Sequence, residues 1–159
     1  MTTRSRTISG AAGVVVTGLL AIAWLMTAEG LARGQAPRSM MTEIKGAAID
    51  ETKLERHAPV ACVGSEVIEL IGVVVRTDSV AIATAGSCQV RIKDSHIVGP
   101  IAVQTAGGTV TVENTIIEGG RFAFQMAGDS TVSVKSSTVT GGVQRASGSF
   151  KDLGNNIFR

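Results

Sequence analysis

Between residues 65 and 159 the chain writes one short phrase about five times, and nothing else in it restricts the fold as strongly. Ile68, Val90, Val110, Val132 and Phe150 open the copies, at spacings of 22, 20, 22 and 18 residues. Two residues on stand Leu70, Ile92, Val112, Val134 and Asp152. Four on stand Gly72, Asp94, Asn114, Ser136 and Gly154, and seven on Val75, Ile97, Ile117, Val139 and Ile157. Gly86, Gly107, Gly128 and Gly148 separate the copies. One copy of this length cannot bury its own apolar face. It must stack on the next, which makes the chain a solenoid.

The alternation inside each copy says what kind. Val90-Arg-Ile-Lys, Val110-Thr-Val-Glu and Val132-Ser-Val-Lys switch between apolar and polar at every residue, the pattern of a strand with one buried face. The next position holds Gly, Asp, Asn or Ser, residues suited to turns. A second short strand follows, with Val75, Ile97, Ile117, Val139 and Ile157 inward. A third apolar run reads Val80-Ala-Ile82, Ile101-Ala-Val103 and Phe122-Ala-Phe124. Phe122, Phe124 and Met126 are all expected inside, in the bulkiest coil. Asp152 in an aliphatic column and Phe158 at the end predict a capping or fraying last turn. Aromatics make up 3% of the chain and Tyr is absent, so small and β-branched residues must fill this core.

Three short strands per turn of about 20–22 residues resemble the right-handed parallel β-helix, the fold of the pectate-lyase-like superfamily. The phrase Val-x-Val-x-Asn-x-x-Ile-x-Gly-Gly at 110–120 carries the resemblance best. It implies an all-β solenoid of about five short coils. The near-absence of Leu excludes leucine-rich repeats, and the period of two excludes helical repeats.

The expected organisation has three parts: a transmembrane signal anchor at 1–29, a linker at 30–60 and the β-helix at 61–159. Residues 7–28 carry no charge, long enough as a helix to cross a bilayer, with Arg4 and Arg6 before them and Trp24 near the far end. A cleaved signal peptide would have a shorter apolar run and a better small-x-small site, so an uncleaved anchor is favoured. The short N-terminal tail favours an inner-membrane protein with its N-terminus in the cytoplasm and its repeats in the periplasm. Ser9, Gly13, Thr17 and Ala21 recur every four residues and form a small-residue face for packing against another membrane helix. In the linker, Gly30, Gly34 and Pro37 suggest an extended exit. Residues 39–57, with Met41, Ile44, Ala48 and Leu54 along one side, predict a helix that caps the first coil and ends at Pro59.

Two cysteines, Cys62 and Cys88, lie 26 residues apart, just over one repeat. Stacking brings them near each other, and two readings stand: a disulfide if the domain lies outside the cytoplasm, or two separate buried thiols. They lack the companion ligands of a zinc site. With His57 and His96 they make no haem or cluster motif, so neither a cofactor nor a metal is expected. The net charge of +2 and the want of any recognition motif argue against nucleic acid.

The β-helix resemblance also implies a possible activity, since larger members of that fold are often polysaccharide lyases or hydrolases with acids or bases on one stacked outward face. Here the outward columns read Glu69, Arg91, Thr111, Ser133, Lys151 and Ile71, Lys93, Glu113, Lys135, Leu153. Neighbouring charges are opposite in sign and support strand pairing. A catalytic acid pair would instead set like charges together. His96, with Asp94 two residues before it, lacks a placed nucleophile, and Asp129 reads as a turn residue. No catalytic residue is expected. The expected function is a membrane-anchored structural or accessory subunit of a larger membrane complex, respiratory or photosynthetic in overall plan, contacting bilayer and partner subunits. Two alternatives stand beside it: a glycan-binding or glycan-acting envelope protein, disfavoured by the scarcity of outward aromatics, and a bactofilin-like self-assembling protein.

Overall fold

The computed structural model describes residues 46–159. The anchor, with its face of Ser9, Gly13, Thr17 and Ala21, and the linker up to residue 45 lie outside the described residues. Among the described residues no helix is long and apolar enough to cross a membrane.

The chain is a parallel β-solenoid of about five turns. A 3-10 turn, Glu51–Lys53, leads into β1 (Glu55–His57), β2 (Val60–Gly64), β3 (Val67–Ile71), β4 (Val73–Arg76), β5 (Val80–Gly86) and β6 (Gln89–Lys93). Two long strands, β7 (His96–Glu113) and β8 (Ile116–Lys135), run round the corners. They are followed by β9 (Thr138–Arg145), β10 (Ser149–Asp152) and β11 (Ile157–Phe158). Every ladder is parallel and forms three faces. The first joins β3, β6, the ends of β7 and β8, and β10. The second joins β1, β4, the starts of β7, β8 and β9, and β11. The third joins β2, β5, the middles of β7 and β8, and the end of β9.

The columns expected from the repeat are the ladders observed. Ile68, Val90, Val110, Val132 and Phe150 pair in register, as do Leu70, Ile92, Val112, Val134 and Asp152. Val75, Ile97, Ile117 and Val139 form the inward column of the second face, each fully buried. Each such aliphatic contributes about 1.5–3 kcal/mol on leaving water, which is how a core almost without rings holds together. The turn position between the first two faces is equally regular. Gly72, Asp94, Asn114, Ser136 and Gly154 all have positive φ, between 44° and 91°. Asn114 Nδ2 donates to Asp94 Oδ1, so the corner also bonds along the stack.

A buried polar column follows that corner. Ser95, Thr115 and Ser137 are fully buried, yet each hydroxyl donates to the carbonyl two residues earlier, on Lys93, Glu113 and Lys135. Two of them also accept a backbone N–H from the coil before, Ser95 from Val73 and Ser137 from Thr115. Asn156 takes the same place in the last coil, accepting from Ser137 N–H. These bonds replace the water that the tight corner excludes.

Four expectations are corrected. The helix over 39–57 does not form in its described part: residues 46–50 are irregular, 51–53 make one 3-10 turn, and 55–57 are β1. Pairing of β1 with the free edge of β4 satisfies that edge, which a helix could not do. The solenoid therefore starts before residue 61. In the last coil Ile157 pairs with Thr138 and Phe158 with Val139, one residue later than the repeat implies. The corner there holds an extra residue, with Gly154 and Asn155 both at positive φ. Phe122 is only half-buried, with the Arg121 guanidinium 5.1 Å over its ring, whereas Phe124 and Met126 are inside. The solenoid is also terminated by polar groups. Asp152 ends its aliphatic column by accepting from Gly154 N–H and Asn156 Nδ2, and exposed Arg145 and His57 stand in register with buried Met126 and Val75.

Candidate functional site

Cys62 on β2 and Cys88 at the corner before β6 form a disulfide, with Cα atoms 6.0 Å apart. The two residues are fully buried. The stacking that places coil one on coil two brings them together, and the bond staples the end coil, which is paired on one side only, to its neighbour. Glu66 lies close to both sulfurs, but sulfurs bonded to each other are not thiolate ligands, so this trio is no metal site.

The second face carries the one cluster of charge around a buried ionisable group among the described residues. His96 is 3% exposed. It follows the positive-φ corner at Asp94, but Asp94 turns to Asn114 and not to the imidazole. Instead His96 Nδ1 faces Glu51 and Nε2 stands 3.3 Å from Glu118 Oε1. Both contacts are close, yet neither nitrogen has the alignment of a hydrogen bond. Arg76 Nη2 donates to both Glu51 oxygens at 2.8 Å. This bond holds the Glu51 carboxyl below the usual carboxylate range; partial desolvation opposes it, and the field of His96 adds to it. The Asp50 carboxyl is lowered too, by the Thr52 hydroxyl and backbone N–H it accepts.

His96 is covered because residues 46–51 cross the outside of this face. Gly46 packs so closely on Thr138 and Ile157 that a Cβ there would come within 2.7 Å of Ile157 Cδ1. Five residues later Glu51 meets Arg76 and His96, two coils and more toward the other end. Ala47 and Ile49 are half-buried along the way. The segment is a strap over the column Val74, His96, Ile116 and Thr138. Glu118 was readable from the repeat as an outward neighbour of His96. Glu51 was not, because the strap has no counterpart in the repeating pattern.

On the first face two of the expected charge pairs form, Arg91 to Glu69 at 3.0 Å and Lys135 to Glu113 at 3.9 Å, while Lys93, in register with Glu113, makes no ion pair with it. Both pairs are exposed and contribute little each. Asp129 sits at the turn between coils, exposed.

The third face is different in kind. One outward column is Ala61, Ala83, Gln104, Gln125 and Gln144, in register. Beside it run Val63, Ala85, Ala106 and Ala127, with Ala146 beyond them. The amides form a ladder: Gln104 Nε2 donates to Gln125 Oε1 and Gln125 Nε2 to Gln144 Oε1, each at 2.8 Å. These residues line an open groove of about 530 Å³ in which no side chain is charged. The three glutamines recur at spacings of 21 and 19 residues, a signal the repeat columns chosen for the first two faces did not cover.

Compared with known proteins, the chain matches no family model, no curated protein and no solved structure. Function must therefore be argued from these faces.

Proposed function

We propose that this protein is a non-catalytic scaffold or accessory subunit, held to a membrane by its N-terminal segment and offering the third face of its solenoid to partner subunits on the periplasmic side. The observation that carries this reading is the groove of the third face, whose lining carries no charge. On the other two faces charged side chains are frequent, some paired across strands and others gathered round His96. The third offers Ala, Val and self-bonded Gln over five coils. An uncharged groove whose Gln amides already bond one another costs little to desolvate, and its small Ala side chains let a partner approach closely. The Cys62–Cys88 disulfide supports a location outside the cytoplasm, where such bonds persist. A rigid stack of parallel strands supports a structural role.

The glycan reading draws on the same Gln ladder, which presents amides at the strand spacing of about 4.8 Å. Against it, the groove has no aromatic side chain on which a sugar ring could stack. The end-to-end assembly reading is weakened by Asp152, Arg145 and His57, which would all be buried between stacked copies. The test is purification of the full chain from native membranes in mild detergent. Stable co-purifying subunits, lost on substitution of Ala106 by Arg, are expected. A chain that comes away alone, or partners indifferent to that substitution, would defeat the proposal.

A further inference from the structure

We infer that the strap over residues 46–51 is a pH-operated latch on the second face, closed while the buried His96 ring is an imidazolium and released when that ring loses its proton.

The placement of charge carries the inference. His96 is 3% exposed, and a carboxylate faces each of its two ring nitrogens. Glu51, on the strap, faces Nδ1, and Glu118, on β8, stands 3.3 Å from Nε2. Neither nitrogen has an aligned hydrogen bond to any other group, so these two carboxylates are what answers the charge of the ring. An imidazolium carries N–H on both nitrogens and suits both neighbours. A neutral ring carries one N–H and one lone pair, whichever tautomer it takes. One carboxylate is then left against a lone pair, where burial leaves little water to screen the contact. Glu118 is fixed within β8, in register with Val98 and Thr140. Glu51 is on the strap, so it is the partner free to withdraw.

The remaining neighbours fit this role. Val74 on β4 and Ile116 on β8, next to His96 along its column, carry no charge. Arg76 on β4 meets the cluster through Glu51, and so exposed a pair holds a segment only weakly by itself. Residues 46–49 make no backbone hydrogen bond to the coils, and the first such bond after them runs from Glu55 N–H to the Gly72 carbonyl. The strap can therefore lift from Val74, His96, Ile116 and Thr138 while β1 stays paired with β4. Closure that depends on the imidazolium is present at lower pH and lost as the pH rises through the titration of the ring. Glu51 sets the opposite limit, because the strap also loosens once that carboxylate is protonated. The latch is closed between the two titrations.

The test follows the methyl groups of Ala47 and Ile49 and the ring nitrogens of His96 by NMR on the full chain. The ratio of closed to open strap should fall at least tenfold from about pH 6 to about pH 9, in step with loss of the ring proton. Glu118→Gln, at a side chain 45% exposed, decides the mechanism. A glutamine amide can donate to the lone pair of the neutral ring, so in this variant the strap should stay closed at about pH 9. His57, the other histidine of the chain, is exposed on β1, and His57→Gln should leave the release unchanged. Circular dichroism confirms that both variants fold. A strap that stays closed through the titration of the ring, a release that Glu118→Gln leaves intact, or one that His57→Gln abolishes would each overturn the inference.

Discussion

Arg76 grips Glu51 through both carboxylate oxygens at 2.8 Å, and with that contact the segment before the solenoid is fastened across its second face. The contact links residues 25 apart in sequence and stands beside the buried ring of His96.

The strap should loosen in acid. Glu51 titrates below the ordinary carboxylate range because Arg76 donates to it. A carboxyl with a lowered folded value adds stability above its unfolded value, and that stability is lost as the pH falls through the lowered one. The protection of amides over residues 46–57, measured against their intrinsic exchange rates, should therefore be higher at pH 7 and fall below about pH 4.5, while the core of β7 and β8 stays protected. Glu51→Gln should exchange faster at pH 7 and lose most of that dependence. A segment equally protected at pH 3 and pH 7 would show that the contact does not hold it.

The disulfide should matter out of proportion to its place at the end. It closes a loop of 26 residues, for which the chain-entropy relation gives about 3.5 kcal/mol. Replacing both Cys62 and Cys88 by Ser should lower the denaturant midpoint accordingly. The first coil should exchange faster than the third.

The positive-φ corner predicts an ordering of substitutions. At Asn114, φ is 44° and the side chain donates to Asp94. Asn114→Val should cost about 1–2 kcal/mol for the backbone conformation alone, and more with the lost bond. Asn114→Gly should cost less, since glycine adopts that φ freely. If the two variants melt alike, the corner is not strained for ordinary side chains.

Phe124 and Phe122 separate inside from outside in one strand. Phe124 is fully buried, and its ring meets that of Phe150 edge-on at 5.5 Å. Phe124→Ala should cost about 3–5 kcal/mol by thermal or chemical unfolding. Phe122→Ala should cost clearly less, because half-exposed Phe122 packs only partly and under Arg121.

Much of this molecule could be read before it was seen, and the reason is repetition. A column such as Val75, Ile97, Ile117 and Val139 states the same requirement four times, so chance matches cancel and the inward face stands out. The positive-φ corner was legible for the same reason. Where the repetition ends, so did the reading. Residues 46–57 have helical spacing locally, but the unpaired edge of β4 outweighed it. Phe158 took the place assigned to Ile157 because one extra corner residue is invisible without its partner strand.

What the sequence by itself determined is the solenoid: its period, its inward columns and the corner between its first two faces. Each follows from contacts between like positions in successive copies. What only the tertiary structure decided are the contacts between unlike segments. These are Glu51 against Arg76 and His96, and Cys62 bonded to Cys88. Such contacts depend on how separate parts of the chain are brought together in space, and no local periodicity encodes that distance.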